Sequence, residues 1–81
     1  MNLLGEVRNN NINKVIQLIE AGADPNIQDK WGNSPLHYPK SPEITKLLLE
    51  AGADINIQDD NGSTSLHYSD SPEITKLLLE A

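Results

Sequence analysis

The chain has 81 residues and a net charge of −6, with 37% hydrophobic residues, 4% aromatic residues and no cysteine. This length allows one small domain. The lack of cysteine excludes disulfides, thiolate metal sites and a cysteine nucleophile, and no segment approaches the roughly 18 apolar residues that a membrane span requires.

The charge is unevenly distributed along the chain. Residues 1–40 contain four acidic and four basic residues, whereas residues 41–81 contain eight acidic and two basic residues. Phosphate binding requires clustered lysine and arginine, so we expect no nucleic-acid partner. The acidic half favours a protein partner with a basic patch. The simpler alternative is that the acidic residues only maintain solubility.

The first helix predicted from the spacing of apolar residues covers residues 12–21 and stops at Gly22. A loop over residues 24–32 follows. The second predicted helix covers residues 42–51, with Ser41 as its N-cap and Pro42 at its first position. Its apolar face consists of Ile44, Leu47, Leu48 and Ala51. Gly52 then provides a left-handed stop.

An internal repeat extends this pattern to the rest of the chain. Residues 41–51 recur identically at residues 71–81, and residues 21–24 recur at residues 51–54, so both segments have an offset of 30. The third predicted helix therefore covers residues 72–81. The loops over residues 24–32 and 54–62 are predicted to be hairpin-like, and Asn61-Gly62 favours a tight turn.

Three segments carry a resemblance to a known family: residues 32–37, residues 43–49 and residues 52–56. Together they resemble the ankyrin repeat, with its Thr-Pro-Leu-His turn, leucine-rich helix and Gly-Ala-Asp-Val-Asn ending. The resemblance implies an all-α helical repeat solenoid with hairpin-like loops. It also implies a single domain over residues 1–81, with repeats at 1–28, 29–58 and 59–81. The expected function is a non-catalytic protein-interaction module without a cofactor or metal ion.

The chain departs from the family pattern in the length of its repeat. The family period is about 33 residues, and the three residues missing here follow His37, where Pro39 also disfavours a helix. We therefore expect the inner helices of the second and third repeats to be single turns. Leu3-Leu4 and Val7-Arg8 resemble the full-length inner helix of the first repeat.

Polar residues in these turns invite chemical interpretations that the family pattern explains better. His37 and His67 occupy equivalent positions in adjacent repeats, which is too far apart for one metal ion because stacked helices lie about 8–10 Å apart. In the family this histidine braces the hairpin. Asp59 and Asp60 lack the spacing of a calcium loop, so we expect them to form turns. No nucleophile and base remain unexplained, and we expect no enzymatic activity.

Trp31 is the strongest candidate for contact with a partner, because it lies at a predicted loop tip and tryptophan is enriched among binding hot spots. The alternative is that it packs on its own loop or on Leu4 and Val7. The resemblance implies further tip positions at Gln28, Lys30, Asn33, Gln58, Asp60, Asn61 and Ser63. Tyr38, Lys40, Tyr68 and Asp70 would flank the groove between the loops and the inner helices. The alternative for each is an ordinary solvated loop.

The last predicted helix copies an internal helix without change, although repeat arrays usually end in a unit with a polar outer face. Either the chain is a piece of a longer array, or this face meets another molecule. The second case predicts self-association through Ile74, Leu77 and Leu78, as a homodimer or a fibre. The charge of −6 on this half opposes a two-fold pairing. We expect an intracellular location, either cytoplasmic or, for a microbial effector, the cytoplasm of a host cell.

Overall fold

The computed structural model describes residues 2–38, 41–69 and 71–81. The elements in chain order are α1 (Leu3–Arg8), α2 (Ile12–Glu20), a first 3₁₀ turn (Pro35–His37), α3 (Pro42–Glu50), a second 3₁₀ turn (Ser65–Tyr68) and α4 (Pro72–Glu80). None of the described residues forms a β-strand, which confirms the all-α prediction. In the same ranges, no helix combines the length and the apolar character needed to cross a bilayer.

The helices begin where the sequence signals predict. The Ser41 hydroxyl accepts the N–H of Ile44 at 3.2 Å, and the Ser71 hydroxyl accepts the N–H of Ile74 at 3.1 Å. Each bond satisfies one of the N–H groups that a helix start leaves without an intrahelical partner. A proline follows each serine, at the position where its missing N–H costs nothing.

The ends of α2 and α3 are fixed by glycine in the left-handed conformation, with φ of 90° at Gly22 and 97° at Gly52. At the end of α3, the Ala53 N–H donates to the Leu48 carbonyl at 3.0 Å and the Gly52 N–H donates to the Leu49 carbonyl at 3.1 Å. This is the Schellman motif, which satisfies the last carbonyls and turns the chain out of the helix.

The inner elements of the second and third repeats are the single turns that the missing three residues predicted. Their 3₁₀ turns contain three and four residues, whereas α1 of the first repeat contains six. Pro39 itself lies outside the described residues.

The elements form two rows. The inner row contains α1 and the two 3₁₀ turns, and the outer row contains α2, α3 and α4, with each element contacting its neighbours in the row. The core between them is entirely aliphatic: Leu3, Val7, Val15, Leu36, Ile44, Leu48, Ile74 and Leu78. No repeat buries its apolar side chains alone, so stacking stabilises all three.

The structure buries two of the three residues of the predicted self-association face. Ile74 and Leu78 are only 2% and 0% exposed, because α4 packs on α3 and on the second 3₁₀ turn. Leu77 is half-buried. The large apolar side chain that α4 exposes is instead Leu79, at 68%, so an association face on this helix would have to include other residues.

Candidate protein-binding surface

Two tight turns form the tips of the loops that precede the 3₁₀ turns. We call residues 29–33 the first loop tip and residues 59–63 the second loop tip. In the first, the Gly32 N–H donates to the Asp29 carbonyl at 2.9 Å and the Asp29 N–H donates to the Asn33 carbonyl at 3.0 Å. The second tip has the same pair of bonds. Gly32 has φ of 79°, a conformation that favours glycine.

Aspartate side chains hold both tips from inside. Oδ1 of Asp29 accepts the N–H groups of Trp31 and Asn33 at 2.9 and 3.0 Å. Oδ1 of Asp59 accepts the equivalent two N–H groups of the second tip, both at 2.9 Å. The prediction of a turn-forming role is therefore confirmed for Asp59, and Asp29 has the same role, whereas Asp60 contributes to the tips through its backbone N–H.

Tyrosines from the 3₁₀ turns bind the other oxygen of each aspartate. The Tyr38 hydroxyl donates to Oδ2 of Asp29, and the Tyr68 hydroxyl donates to Oδ2 of Asp59. The Asn33 amide donates to the Tyr38 hydroxyl at 3.3 Å. Both tyrosines were predicted to flank a binding groove. The structure gives them contacts within their own repeats, where they tie the loop tips to the inner row.

These bonds shift the pKa values of all four groups. Burial raises the pKa of Asp29, but the bonds from Tyr38 and from the backbone N–H groups lower it more, so its net shift is downward. The bond from Tyr68 is the main cause of the lowered pKa of Asp59. Burial and the bond to Asp29 raise the pKa of Tyr38, and the bond to Asp59 raises the pKa of Tyr68.

The two loop tips are also bonded to each other. The Asp60 N–H donates to the Trp31 carbonyl at 3.0 Å. Gly32 lies so close to the second tip that an added Cβ would sit 3.0 Å from the Asp60 nitrogen and 3.1 Å from the Asp59 Cα. The spacing between the tips is therefore set by backbone contacts.

His37 braces the second tip from the neighbouring repeat, as the family resemblance implied. Its Nδ1 accepts the Ser34 N–H at 2.9 Å, and its Nε2 lies 2.9 Å from the Ser63 carbonyl oxygen. The rings of His37 and Tyr68 pack edge to face, with their centres 5.6 Å apart. His67 is exposed and contacts Thr64 of its own turn.

Trp31 projects from the first tip and is 50% exposed. The Lys30 ammonium lies 4.6 Å from the centre of its ring, within cation–π range. Trp31 lies outside the hydrophobic core, which contains Val7, and part of its ring faces Lys30 of its own loop. The indole is thus a large apolar surface held on a rigid loop.

The other predicted tip residues divide into two groups. Lys30, Asp60 and Asn61 are exposed beside or opposite Trp31, whereas Asn33 and Ser63 are half-buried. Gln28 and Gln58 are exposed, and their side-chain amides donate to the carbonyls of Gly32 and Gly62 at 2.8 and 3.3 Å. Lys40 and Asp70 lie outside the described residues.

Two residues that were not predicted to bind a partner join neighbouring repeats. Cζ of Arg8 lies 5.4 Å from the centre of the Tyr38 ring, and both residues line an open cleft of about 490 Å³ with Gly5 and Asn9. Asn26 accepts the Asp54 N–H from the next repeat at 2.7 Å. The sequence feature that could have indicated the contact of Arg8 is its position in the repeat, because Arg8 precedes Tyr38 by one period of 30 residues.

This geometry provides a scaffold rather than reactive groups. Asp29 and Asp59 are bonded to backbone N–H groups and to tyrosine hydroxyls within the loop tips. Within the described ranges, no group of three or more metal-ligating side chains is close enough together to hold an ion. The surface exposes Trp31 together with polar side chains such as Lys30 and Asp60.

Comparison with known proteins agrees with the architecture. The family profile described as ankyrin repeats (3 copies) matches residues 3–81. The crystal structure of the ankyrin repeat domain of Bcl-3, a member of the IkappaB protein family, matches with a TM-score of 0.88 and 28% sequence identity. The match covers 95% of this chain and 35% of that one, so this chain spans about a third of its length.

None of the curated proteins compared with the chain matches it. Ankyrin repeats are generally protein-interaction modules and are typically not enzymes. The profile match covers almost the entire sequence in three copies, which agrees with the two rows of stacked elements. The chain belongs to the ankyrin repeat family.

Proposed function

We propose that this chain is a non-catalytic module that binds a protein partner through its two loop tips, with Trp31 as the anchor. The observation that carries the proposal is the half-exposed indole on a tip whose backbone is fixed twice. Asp29 holds it from within the loop, and the Asp60 N–H holds it from the next repeat. A surface that is ordered before binding loses little entropy when it binds.

The surroundings of Trp31 support this choice. Lys30, Asp60 and Asn61 provide exposed polar groups near a large apolar side chain, which is the usual composition of a hot spot with a polar rim. The function of the family is consistent with such a surface.

We propose a cytoplasmic location for this binding, since a chain without cysteine has no need of an oxidising compartment.

A displayed library of random 12-residue peptides, selected on the full chain, tests the proposal. Trp31→Ala should weaken the selected peptides by about tenfold or more, as hot-spot truncation does. Leu79→Ala is the matched control, because Leu79 is a more exposed apolar side chain on the last outer helix, and it should leave affinity unchanged. Circular dichroism confirms that both variants fold. Peptides that bind both variants as tightly as the wild type would exclude this surface.

A second candidate function is self-association, favoured by the exposure of the third repeat. Leu66 and Tyr68 are 39% and 40% exposed and Leu79 is 68% exposed, whereas Leu36, the equivalent of Leu66, is 2% exposed. Burying Leu66, Tyr68 and Leu79 against a second copy of the chain would remove apolar surface from water. Light scattering across a wide concentration range tests this. A mass that stays near 8.9 kDa excludes self-association, and a dimer that Leu79→Lys disperses supports it.

A further inference from the structure

Two cations lie close to Trp31 and Tyr38 although the whole chain carries −6, and the carboxylates of Asp29 and Asp60 belong to the same pair of loop tips. Arg8 lies over the Tyr38 ring at 5.4 Å, and Lys30 lies over the Trp31 ring at 4.6 Å. The two pairs are contiguous, because Asp29 accepts both the Tyr38 hydroxyl and the Trp31 N–H. We call Arg8, Lys30, Trp31 and Tyr38 the cationic cluster.

Asp29 does not form an ion pair with Arg8 or Lys30. Its Oδ1 binds two backbone N–H groups, and its Oδ2 binds the Tyr38 hydroxyl. Among residues 2–38, 41–69 and 71–81, no carboxylate lies within 4.0 Å of a lysine or arginine nitrogen. A guanidinium stacked on a ring still has its N–H groups directed outward in its own plane. Both cations therefore keep donors for another molecule.

The acidic residues responsible for the net charge lie mostly elsewhere. Glu50, Glu73 and Glu80 line grooves between α3 and α4, together with Lys46 and Lys76. The second loop tip contributes the exposed Asp60 but no lysine or arginine. The overall charge, which favoured a partner with a basic patch, thus comes mostly from the outer helices and the second tip, of which Asp60 adjoins Trp31 through its backbone N–H.

From this arrangement we infer that the partner presents an acidic side chain to Arg8 and Lys30 and places an apolar side chain against Trp31. The inference rests on the proposed function and adds the chemistry of the partner. A carboxylate matches the fork of the Arg8 guanidinium, and the open cleft of about 490 Å³ beside Arg8 leaves room for it. The occupant is therefore an acidic segment of a protein.

The peptides selected on the full chain test this directly. Their sequences should be enriched in Asp and Glu next to an aromatic or aliphatic residue. Arg8→Gln and Lys30→Gln should each weaken binding about two- to fivefold, as expected for exposed charge pairs, and Arg8→Lys should recover only part of the loss, because lysine keeps the charge but lacks the guanidinium fork. Lys46→Gln and Lys76→Gln are matched controls that remove the same charge from exposed sites on α3 and α4, and they should have no effect.

Salt provides an independent measurement. Raising the ionic strength from 0.05 to 0.5 M should weaken peptide binding to the wild type more than peptide binding to the Arg8→Gln, Lys30→Gln double variant. Salt screens the charge interaction that the wild type makes and the double variant lacks. Selected peptides that depend on Trp31 but are neutral or basic would overturn this inference while leaving the proposed function intact. Peptides that ignore both Trp31 and the two cations would overturn both.

Discussion

The imidazole Nε2 of His37 lies 2.9 Å from the carbonyl oxygen of Ser63, in the next repeat. Because Nδ1 accepts the Ser34 N–H at 2.9 Å, Nδ1 carries no proton in this arrangement. The proton is therefore on Nε2, which donates to Ser63. One buried side chain thus fixes its own 3₁₀ turn and the end of the second loop tip.

His37→Ala should lower the free energy of unfolding by about 1–3 kcal/mol, because it leaves the buried Ser34 N–H without an acceptor. His67→Ala is the matched control. His67 is exposed and accepts only from its own turn, at 3.2 Å, so its loss should cost less than about 1 kcal/mol. Urea unfolding measures both. Equal losses would contradict the assignment of His37 as the brace between repeats.

Gly32→Ala should destabilise the chain more than Gly62→Ala. Both glycines have positive φ, at 79° and 77°, so both substitutions carry a similar backbone penalty of about 1–2 kcal/mol. Only at Gly32 would the new Cβ also press on the Asp60 backbone, whereas no atom lies within 4 Å of it at Gly62. The difference between the two unfolding free energies isolates the contact between the tips. If the two unfolding free energies are equal, the contact between the tips accommodates the added methyl group without a loss of stability.

Ser65→Pro should stabilise the chain by about 1 kcal/mol. The Ser65 hydroxyl is buried and has no hydrogen-bond partner, which is unfavourable. The equivalent residue is Pro35, at the first position of the other 3₁₀ turn, so the backbone there accommodates proline, which also restricts the unfolded chain.

Ser65→Ala separates the two contributions to this gain, since it removes the hydroxyl but leaves the backbone unrestricted. It should give part of the stabilisation in urea unfolding. A loss of stability in Ser65→Pro together with a gain in Ser65→Ala would show that the second turn does not share the geometry of the first.

The lowered pKa values of Asp29 and Asp59 predict an acid limit to stability. Their ordinary value is 3.8, so the unfolded chain binds protons that the native chain does not as pH falls toward 4. The free energy of unfolding should therefore be constant above about pH 5 and decline below it. Acid titration followed by circular dichroism measures this decline.

The Tyr38→Phe, Tyr68→Phe double variant tests the cause of that decline. It removes the hydroxyls that hold the two carboxylates, so it should be less stable at pH 7 and should lose less of its remaining stability on acidification. At alkaline pH the sign reverses. The raised pKa values of the tyrosines, ordinarily 10.0, mean that their contribution is complete below pH 10 and disappears above it. Parallel acid curves for variant and wild type would contradict the assignment.

Local signals in the sequence were sufficient for the helices and turns. Each signal determines the structure of only a few neighbouring residues. These signals are the Ser-Pro starts of α3 and α4, the glycines after α2 and α3 and the three missing residues after His37. Burial within α3 was less accurately predicted. Thr45 is buried and Leu47 only half-buried, because the Thr45 hydroxyl donates to the Ser41 carbonyl at 3.0 Å and so enters the core without an unsatisfied group.

Contacts between repeats could not be predicted from one repeat alone. Residues 41–51 and 71–81 have identical sequences, yet Leu49 is half-buried and Leu79 is exposed, because a neighbour covers one and not the other. The same applies to the candidate site. Arg8 reaches Tyr38 only when the first and second repeats stack, so the cationic cluster was not visible in the order of charges along the chain.

The central claim is that Trp31 is the anchor of a protein-binding surface, and its fluorescence tests that claim most directly. The chain contains one tryptophan, so all indole emission comes from this residue. Saturating the wild-type chain with a selected peptide should shift the emission to shorter wavelength, because a half-exposed ring becomes buried. Binding that calorimetry detects while the emission stays unchanged would place the partner elsewhere and contradict the account.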